Sequence, residues 1–244
     1  MIVDAHTHIG VERLFNLVMT SEELMATMER FHISKAVVQP QAGAPDIKQN
    51  HREIFELAQA NPGKIYGLAS FNPVTDEEEY RKNAEWAVNE LKFRGLKLHT
   101  NGFSISPQNP FSRKVFEMGR KLKVPVMIHT GAGVPQALPS LVIPVAREFS
   151  DVPIVLAHAG GGMFAGEAII AAQLCDNIYL ETSWVYAADV AAMISAIGAD
   201  RVMFGSDIFQ NIPSHLAIYE NLGLSDRDYE KVIGLTAASL FDLK

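Results

Sequence analysis

Five of the eight histidines in this 244-residue sequence stand where a predicted strand ends, and imidazole is a frequent ligand of transition metals. His6 and His8 are two residues apart, so on an extended strand their side chains project to the same side and can reach one ion. His99, His129 and His158 each close a separate apolar run. Any one of them could be a polar cap on a strand end, satisfied by backbone or water. Together, on convergent strands, they predict a metal site.

One carboxylate completes the candidate donor set. Asp207 follows the last predicted strand, residues 201–206, which lies beside the first strand when eight strands form a barrel. Neutral imidazoles with one carboxylate suit Zn²⁺, with Fe²⁺, Mn²⁺ and Co²⁺ as alternatives, whereas Ca²⁺ and Mg²⁺ prefer oxygen ligands. Cys175 is the only cysteine, which excludes a four-cysteine zinc site and an intramolecular disulfide. The sequence therefore predicts one divalent metal ion, most simply Zn²⁺.

The elements that position these residues follow one alternation from end to end, with no linker. Short runs rich in Val, Ile and Leu precede longer segments with helical spacing. The predicted strands are residues 2–6, 35–39, 65–70, 95–99, 124–129, 153–158, 177–182 and 201–206. The predicted helices begin at Ser21 and Asp76 or cover about 47–60, 111–122, 139–149, 163–175, 187–197 and 214–241, the last broken at residues 223–225.

Eight such units of about 30 residues predict an α/β fold, a single (β/α)8 TIM barrel over residues 1–244. Barrel active sites lie at the carboxyl ends of the strands, where these histidines fall. An open doubly wound sheet is the rival fold. It usually carries a glycine-rich phosphate turn after the first strand, where this sequence has His6-Thr7-His8-Ile9-Gly10. The first turn therefore favours the barrel.

Composition excludes several classes of protein. The 21 Lys and Arg residues against 28 Asp and Glu give a net charge of −7, with no run of five like charges, which disfavours nucleic acid as a partner. A hydrophobic content of 48% with 20% charged residues supports a large core rather than disorder. No apolar stretch approaches the ~18 residues of a membrane span, and the opening Met1-Ile2-Val3-Asp4 differs from a secretory leader. We expect a cytoplasmic protein with a small-molecule substrate and no membrane partner, and a homo-oligomer remains open.

The strand-end motifs resemble those of a known family. The resemblance is to the amidohydrolase superfamily of metal-dependent TIM-barrel enzymes, and it rests on Asp4-Ala5-His6-Thr7-His8, His129, His158 and Gly205-Ser206-Asp207. Residues 95–99 and 236–241 are similar to the amidohydrolase-related (amidohydrolase 2) branch, which includes hydrolases and non-oxidative decarboxylases. The resemblance spans the whole chain. The sequence departs from the branch at Thr236, where Asn is usual, and in being short.

The resemblance implies a ligand set and a division of roles. It assigns a divalent metal to His6, His8, His129 and Asp207. It also makes His158 the catalytic or substrate-polarising imidazole, with Asp207 as the second catalytic residue.

Three functions are compatible with such a site. The leading one is a metal-dependent hydrolase that acts on a small-molecule amide, ester or lactone through a metal-activated water. The alternative is a metal-dependent non-oxidative decarboxylase of a small carboxylic acid, in which Asp207 or His158 delivers a proton to carbon. A barrel without activity that serves as a binding protein is the third. A phosphodiesterase of the DNase-like metal barrels is a further rival, but those enzymes have Glu at the end of strand 4, where this sequence has Lys97 and His99.

Four further residues are candidates for substrate binding. Lys97 and His99 share a face of the fourth strand, where binuclear relatives place a carboxylated lysine between two metals. We expect Lys97 to pair with a carboxylate or bind a substrate anion, although a second metal remains open. Asn72 after the third strand and Trp184 after the seventh are placed at the barrel mouth by position alone.

Other polar residues have weaker assignments. Asp4 points deeper than His6 on the same strand face, so it either orients an imidazole or is a buried hydrogen-bond acceptor. His32 and His51 lie in helical patterns, and we expect them to be solvated.

Overall fold

The computed structural model describes residues 1–13, 16–131 and 133–244. Its strands are β1 (Val3–Glu12), β2 (Leu17–Met19), β3 (Lys35–Pro40), β4 (Ile65–Gly67), β5 (Ala69–Ser70), β6 (Leu96–Leu98), β7 (Val126–His129), β8 (Ile154–Ala157), β9 (Ile178–Glu181) and β10 (Val202–Met203). Its helices are α1 (Ser21–Arg30), α2 (Ile47–Ala60), α3 (Glu77–Glu85), α4 (Pro110–Leu122), α5 (Ile143–Glu148), α6 (Ala165–Leu174), α7 (Ala187–Ile197), α8 (Ile212–Asn221), α9 (Asp226–Glu230) and α10 (Thr236–Leu240). All eight predicted strands are present, the third of them as the pair β4 and β5.

The strands form two hydrogen-bonded sheets, in the orders β2-β1-β3-β4 and β10-β9-β8-β7-β6-β5. Apart from β2, every pairing is parallel. Backbone bonds link the two sheets on both sides. On one side the amide of Leu68 donates to Val38, and on the other the amides of Ala5 and Asp207 donate to Phe204 and His6. The predicted TIM-barrel fold is confirmed, and these bonds bring Asp207 next to His6.

The first strand is longer than predicted. It continues to Glu12 and pairs antiparallel with β2, in a register that sets Gly10 opposite Met19. This hairpin lies outside the predicted alternation. It nevertheless helps to form the candidate functional site described below, because Glu12, Leu17 and Met19 all line the cavity of that site.

Strands are buried on both faces, which explains their near-continuous apolar sequences. Along β7, Val126 and Ile128 belong to the core cluster that also contains Phe116 of α4. Met127, between them, belongs to a second cluster inside the strands, which Phe241 next to α10 also joins. The alternation leaves polar side chains near the carboxyl ends of the strands as the groups that face the cavity.

Side-chain caps fix several helix starts. Thr20 and Glu23 form a reciprocal capping box at α1, and Asp76 accepts hydrogen bonds from the amides of Glu78 and Glu79 at α3. Within the described part of the chain, no helix combines the length and the apolar character that a membrane crossing requires.

Candidate functional site

Three of the predicted metal ligands converge where β1 meets the segment after β10. The Nε2 atoms of His6 and His8 lie 3.1 Å apart. Oδ1 of Asp207 lies 3.4 Å from each of them. His6 and His8 are buried, and the Asp207 side chain is 23% exposed, so the cluster is open on the side of the carboxylate.

The remaining ring nitrogens are held by oxygen acceptors. Nδ1 of His8 lies 3.1 Å from the carbonyl oxygen of Pro40, and Nδ1 of His6 lies 2.7 Å from Oε2 of Glu181. A neutral ring with an acceptor at Nδ1 carries its hydrogen there and presents a lone pair at Nε2. Two lone pairs and a carboxylate oxygen therefore face one another, which is the donor set of a transition-metal site. The residues present fit a divalent cation.

Lys97 lies in the same cluster, where it contacts an imidazole instead of the carboxylate or substrate anion expected from the sequence. Its Nζ is buried and lies 3.1 Å from Nε2 of His6. Burial lowers the pKa of Lys97 to about 8, although the charges of Asp207 and Glu181 oppose this shift. Near neutral pH the ammonium group therefore donates to the lone pair of His6.

Two of the other three strand-end histidines, His129 and His158, form a second pair. Nε2 of His158 lies 3.1 Å from Nδ1 of His129, and His129 stacks on His99 with ring centroids 4.6 Å apart. Burial lowers the pKa of His158 to about 4 and that of His129 well below its ordinary value, so both rings are neutral at neutral pH. Nε2 of His129 is buried and, in the part of the chain that the structure describes, has no hydrogen-bond partner.

The described ranges contain two donor groups whose ligand atoms all lie within 4.8 Å of one another. One is His6, His8 and Asp207, and the other is His6, His158 and Glu181. His129 belongs to neither group, and its ring contacts His158. Its role as a fourth ligand stays a prediction.

Glu181 is a site residue that the sequence analysis missed. It ends β9, is fully buried, and contacts His6, His158 and Ser183. The signal for it was present: residues 178–181 are an apolar run closing on one polar group, the pattern that pointed to His129 and His158.

Of its two predicted roles, Asp4 has that of a buried hydrogen-bond acceptor. Its carboxylate accepts from the hydroxyl and the amide of Ser206, at 2.6 and 2.9 Å, and from the amide of His6 at 3.2 Å. Burial raises the pKa of Asp4 to about 7, and the hydrogen bonds from Ser206 oppose that shift. Asp4 ties β1 to the loop that carries Asp207, while Glu181 is the carboxylate that contacts an imidazole.

A cavity of about 930 Å³ opens beside the cluster. Trp184, one of the predicted substrate-binding residues, lies at its wall and donates from Nε1 to Oδ2 of Asp207 at 2.7 Å. The cavity is lined by His8, Glu12, Arg13, Leu17, Met19, Gln41, Ala42, Gly43, His99, Asn101, Gly102, His129, Thr130, His158, Gly161, Trp184, Asp207 and Ile208. It is therefore a mixed apolar and polar pocket, large enough for a small molecule.

Two sequence-based placements are wrong. Asn72 is exposed and lies outside the cavity lining, and its side-chain oxygen accepts from the amide of Val74 in a turn. His51 is buried rather than solvated. Its Nε2 accepts from the amide of Ser70, and its ring stacks on Phe71 with centroids 4.3 Å apart. A helical pattern alone could not reveal that this histidine fastens α2 to β5.

Three of the site residues have left-handed backbone conformations. His158, Trp184 and Asp207 have φ values of 67°, 62° and 62°. Such conformations are uncommon for non-glycine residues, and strain of this kind concentrates at functional sites.

Fold and donor cluster define the class of protein: a TIM barrel with imidazole and carboxylate ligands gathered at the carboxyl ends of its strands. The amidohydrolase family model matches residues 3–243, and the chain belongs to the amidohydrolase family. A comparison with curated protein sequences finds no match.

Solved structures share the whole fold at low sequence identity. The 5-carboxyvanillate decarboxylase of Sphingomonas paucimobilis superposes with a TM-score of 0.80 and 15% identity, over 100% of this chain and 99% of that chain. A dihydroxybenzoic acid decarboxylase from Polaromonas sp., with bound manganese and the inhibitor 2-nitroresorcinol, gives a TM-score of 0.77 and 18% identity, over 99% and 97%. A probable 2-pyrone-4,6-dicarboxylic acid hydrolase from Acinetobacter baumannii gives 0.72 and 13%, over 99% of both chains.

Proposed function

We propose that the chain is a metal-dependent enzyme that removes the carboxyl group of a small carboxylic acid without an oxidant. One observation carries the metal dependence: the facing lone pairs of His6 and His8 beside Oδ1 of Asp207. A bound divalent cation supplies positive charge that holds an anionic oxygen of the substrate. Mn²⁺, present in one decarboxylase of the same fold, and Zn²⁺ both suit this donor set. His6, His8 and Asp207 would hold it, with His129 as a further ligand.

Decarboxylation is favoured over hydrolysis by the state of Asp207. A hydrolase of this design needs a free oxygen on Asp207 to take a proton from the attacking water. In this chain Oδ2 already accepts from the indole of Trp184, and Oδ1 faces His6 and His8. Asp207 therefore suits a ligand better than a base.

The remaining chemistry falls to residues of the cavity wall. In the proposed reaction the bond from the carboxyl carbon breaks, carbon dioxide leaves, and the electron pair stays on the carbon that then takes a proton. That proton comes from solvent, and His158, which lines the cavity, is the side chain that we assign to passing it to the carbon. Lys97, buried beside His6 and outside the cavity lining, adds positive charge that favours an anionic substrate in the neighbouring cavity.

Hydrolysis of an amide, ester or lactone is the second candidate. It is supported by the pyrone dicarboxylic acid hydrolase that shares the fold, and by the partly exposed side chain of Asp207. A rotation of Trp184, whose side chain is 49% exposed, would free Oδ2 for this role.

The test is a two-branch activity screen of protein loaded with Mn²⁺ or Zn²⁺. Hydroxylated and methoxylated benzoic acids are assayed for release of carbon dioxide, and esters and lactones of similar size for release of acid. We expect turnover in the first branch, loss of it with a chelator or in His8→Ala, and retention in the matched control His32→Ala. Turnover in the second branch alone would establish the hydrolase. Metal binding without turnover in either branch would favour a binding protein.

A further inference from the structure

We infer that Glu181 is the positioning residue that decides which nitrogen of His6 and of His129 is free to bind a metal. Glu181 touches neither the cavity nor Asp207 in the described contacts, and it acts through the rings that it and Ser183 hold. The inference rests on the proposed function for the presence of the metal, but the tautomers that it assigns exist in the metal-free chain.

Two backbone amides fix the hydrogen-bonding role of the Glu181 carboxylate. The amide of Ser183 donates to Oε1 of Glu181 at 2.5 Å, and the amide of His158 donates to Oε2 at 3.1 Å. Since an amide N–H can only donate, both oxygens of Glu181 are acceptors. Nδ1 of His6, 2.7 Å from Oε2, must then carry the hydrogen. Its Nε2 keeps a lone pair, which agrees with the donor Nζ of Lys97 3.1 Å away.

A second chain of hydrogen bonds runs from Glu181 through Ser183 to His158 and His129. The hydroxyl of Ser183 lies 2.9 Å from Oε2 of Glu181 and 2.8 Å from Nδ1 of His158. A hydroxyl has one hydrogen, and the carboxylate takes it, so Ser183 accepts from Nδ1 of His158. Nε2 of His158 is therefore an acceptor, and Nδ1 of His129, at 3.1 Å, must donate to it.

This chain of hydrogen bonds accounts for the unpartnered Nε2 atom of His129. With its hydrogen on Nδ1, His129 is left with a lone pair at Nε2, the buried atom that has no partner in the described part of the chain. An unpartnered buried polar atom is costly unless a ligand completes it. One carboxylate thus presents a lone pair at Nε2 of His6 directly, and at Nε2 of His129 through two intervening residues.

The tautomers are measured first, in metal-free protein labelled with ¹⁵N-histidine, by NMR of the imidazole nitrogens at neutral pH. We expect His6, His129 and His158 in wild type to carry hydrogen on Nδ1. In Glu181→Gln the side-chain amide can donate, so we expect His6 to change tautomer. In Ser183→Ala we expect His6 to be unchanged, while His158 and His129 become mixtures.

Thr182→Val is the matched control. It removes a buried hydroxyl from the residue between Glu181 and Ser183, but that hydroxyl contacts Tyr219 and the carbonyl of Met203 instead of an imidazole. We expect wild-type tautomers in this variant. A wild-type spectrum with hydrogen on Nε2 of His6 or His158 would overturn the inference, even if Glu181→Gln failed to fold.

Metal affinity is the second readout, with Zn²⁺ or Mn²⁺ alone as the probe. We expect Glu181→Gln to bind 10- to 100-fold more weakly than wild type, the usual effect of removing a carboxylate behind a ligating histidine. Wild-type affinity with an unchanged His6 tautomer would reduce Glu181 to a structural role. Wild type that binds no metal, yet shows the expected tautomers, would refute the proposed function and leave the positioning role intact.

Discussion

The indole nitrogen of Trp184 lies 2.7 Å from Oδ2 of Asp207, so a residue at the cavity wall holds one oxygen of the carboxylate whose other oxygen faces His6 and His8. The bond fixes the direction from which Asp207 can bind a cation. It also couples the cavity wall to the candidate metal site, because any substrate that displaces the indole changes the environment of Asp207.

Removing this hydrogen bond should loosen the metal site without unfolding the protein. We expect Trp184→Phe to weaken metal affinity by about tenfold, the low end for loss of a group that orients a ligand. Its thermal stability should change little, since half of the indole is exposed. Calorimetric titration with the metal measures the affinity, and thermal unfolding measures the stability. Tyr186→Phe, at a 71% exposed position nearby in sequence, is the control and should bind metal like wild type.

The ligand assignment predicts a stoichiometry and a pattern of loss. Elemental analysis should find one equivalent of divalent metal in protein purified without chelator, because the two donor groups found in the described ranges share His6. His6→Ala and His8→Ala should lose it, whereas the exposed His32→Ala should retain it. Two equivalents together with a modified Lys97 would contradict the single site.

The two members of the second histidine pair should behave differently. His158→Asn should retain most of the metal and lower kcat by about 10²–10⁴, the range for one acid–base group. His129→Asn should lower metal content, because its Nε2 is the unpartnered atom. Comparable metal loss in both variants, measured side by side, would make His158 a ligand and return the proton transfer to Asp207.

His51 predicts a pH dependence of stability away from the site. Burial lowers its pKa from 6.5 to about 4, so the unfolded chain takes up a proton below pH 6.5 while the native ring stays neutral. Proton uptake by the unfolded state reduces stability as the pH falls through this window, by about 3 kcal/mol at its lower end. Denaturant unfolding of His51→Leu should show a shallower loss between pH 6.5 and 4 than wild type. An identical slope would exclude His51 as a titrating group, and His32→Leu is the exposed control.

The sequence predicted the strands and the polar residues at their ends, because both depend on local patterns. Apolar runs fixed the eight strands, and a polar residue closing a run placed His129, His158 and Asp207 at one end of the barrel. Alternation within a strand correctly set His6 and His8 on one side, as their 3.1 Å separation shows.

What the sequence did not predict depends on contacts between distant residues. Asn72 is the exception: its oxygen binds the amide of Val74 only two residues away, and Asn72-Pro73 is a local turn signal that placement by position alone did not use. The sequence offered Asp4, and not Glu181, as a carboxylate that could orient an imidazole, and only the three-dimensional structure gives His6 to Glu181. The β1–β2 hairpin joins two segments with no turn motif between them that marks a hairpin.

The left-handed backbone at His158, Trp184 and Asp207 restricts how this active site can evolve. Asn, Asp and Gly adopt such conformations readily, whereas a β-branched residue there costs about 1–3 kcal/mol before any chemistry is considered. Substitution by a β-branched residue at these positions is therefore opposed by folding as well as by catalysis. A library built to shift substrate range should vary Leu17 and Met19 on the hairpin, which line the same cavity with ordinary backbone angles.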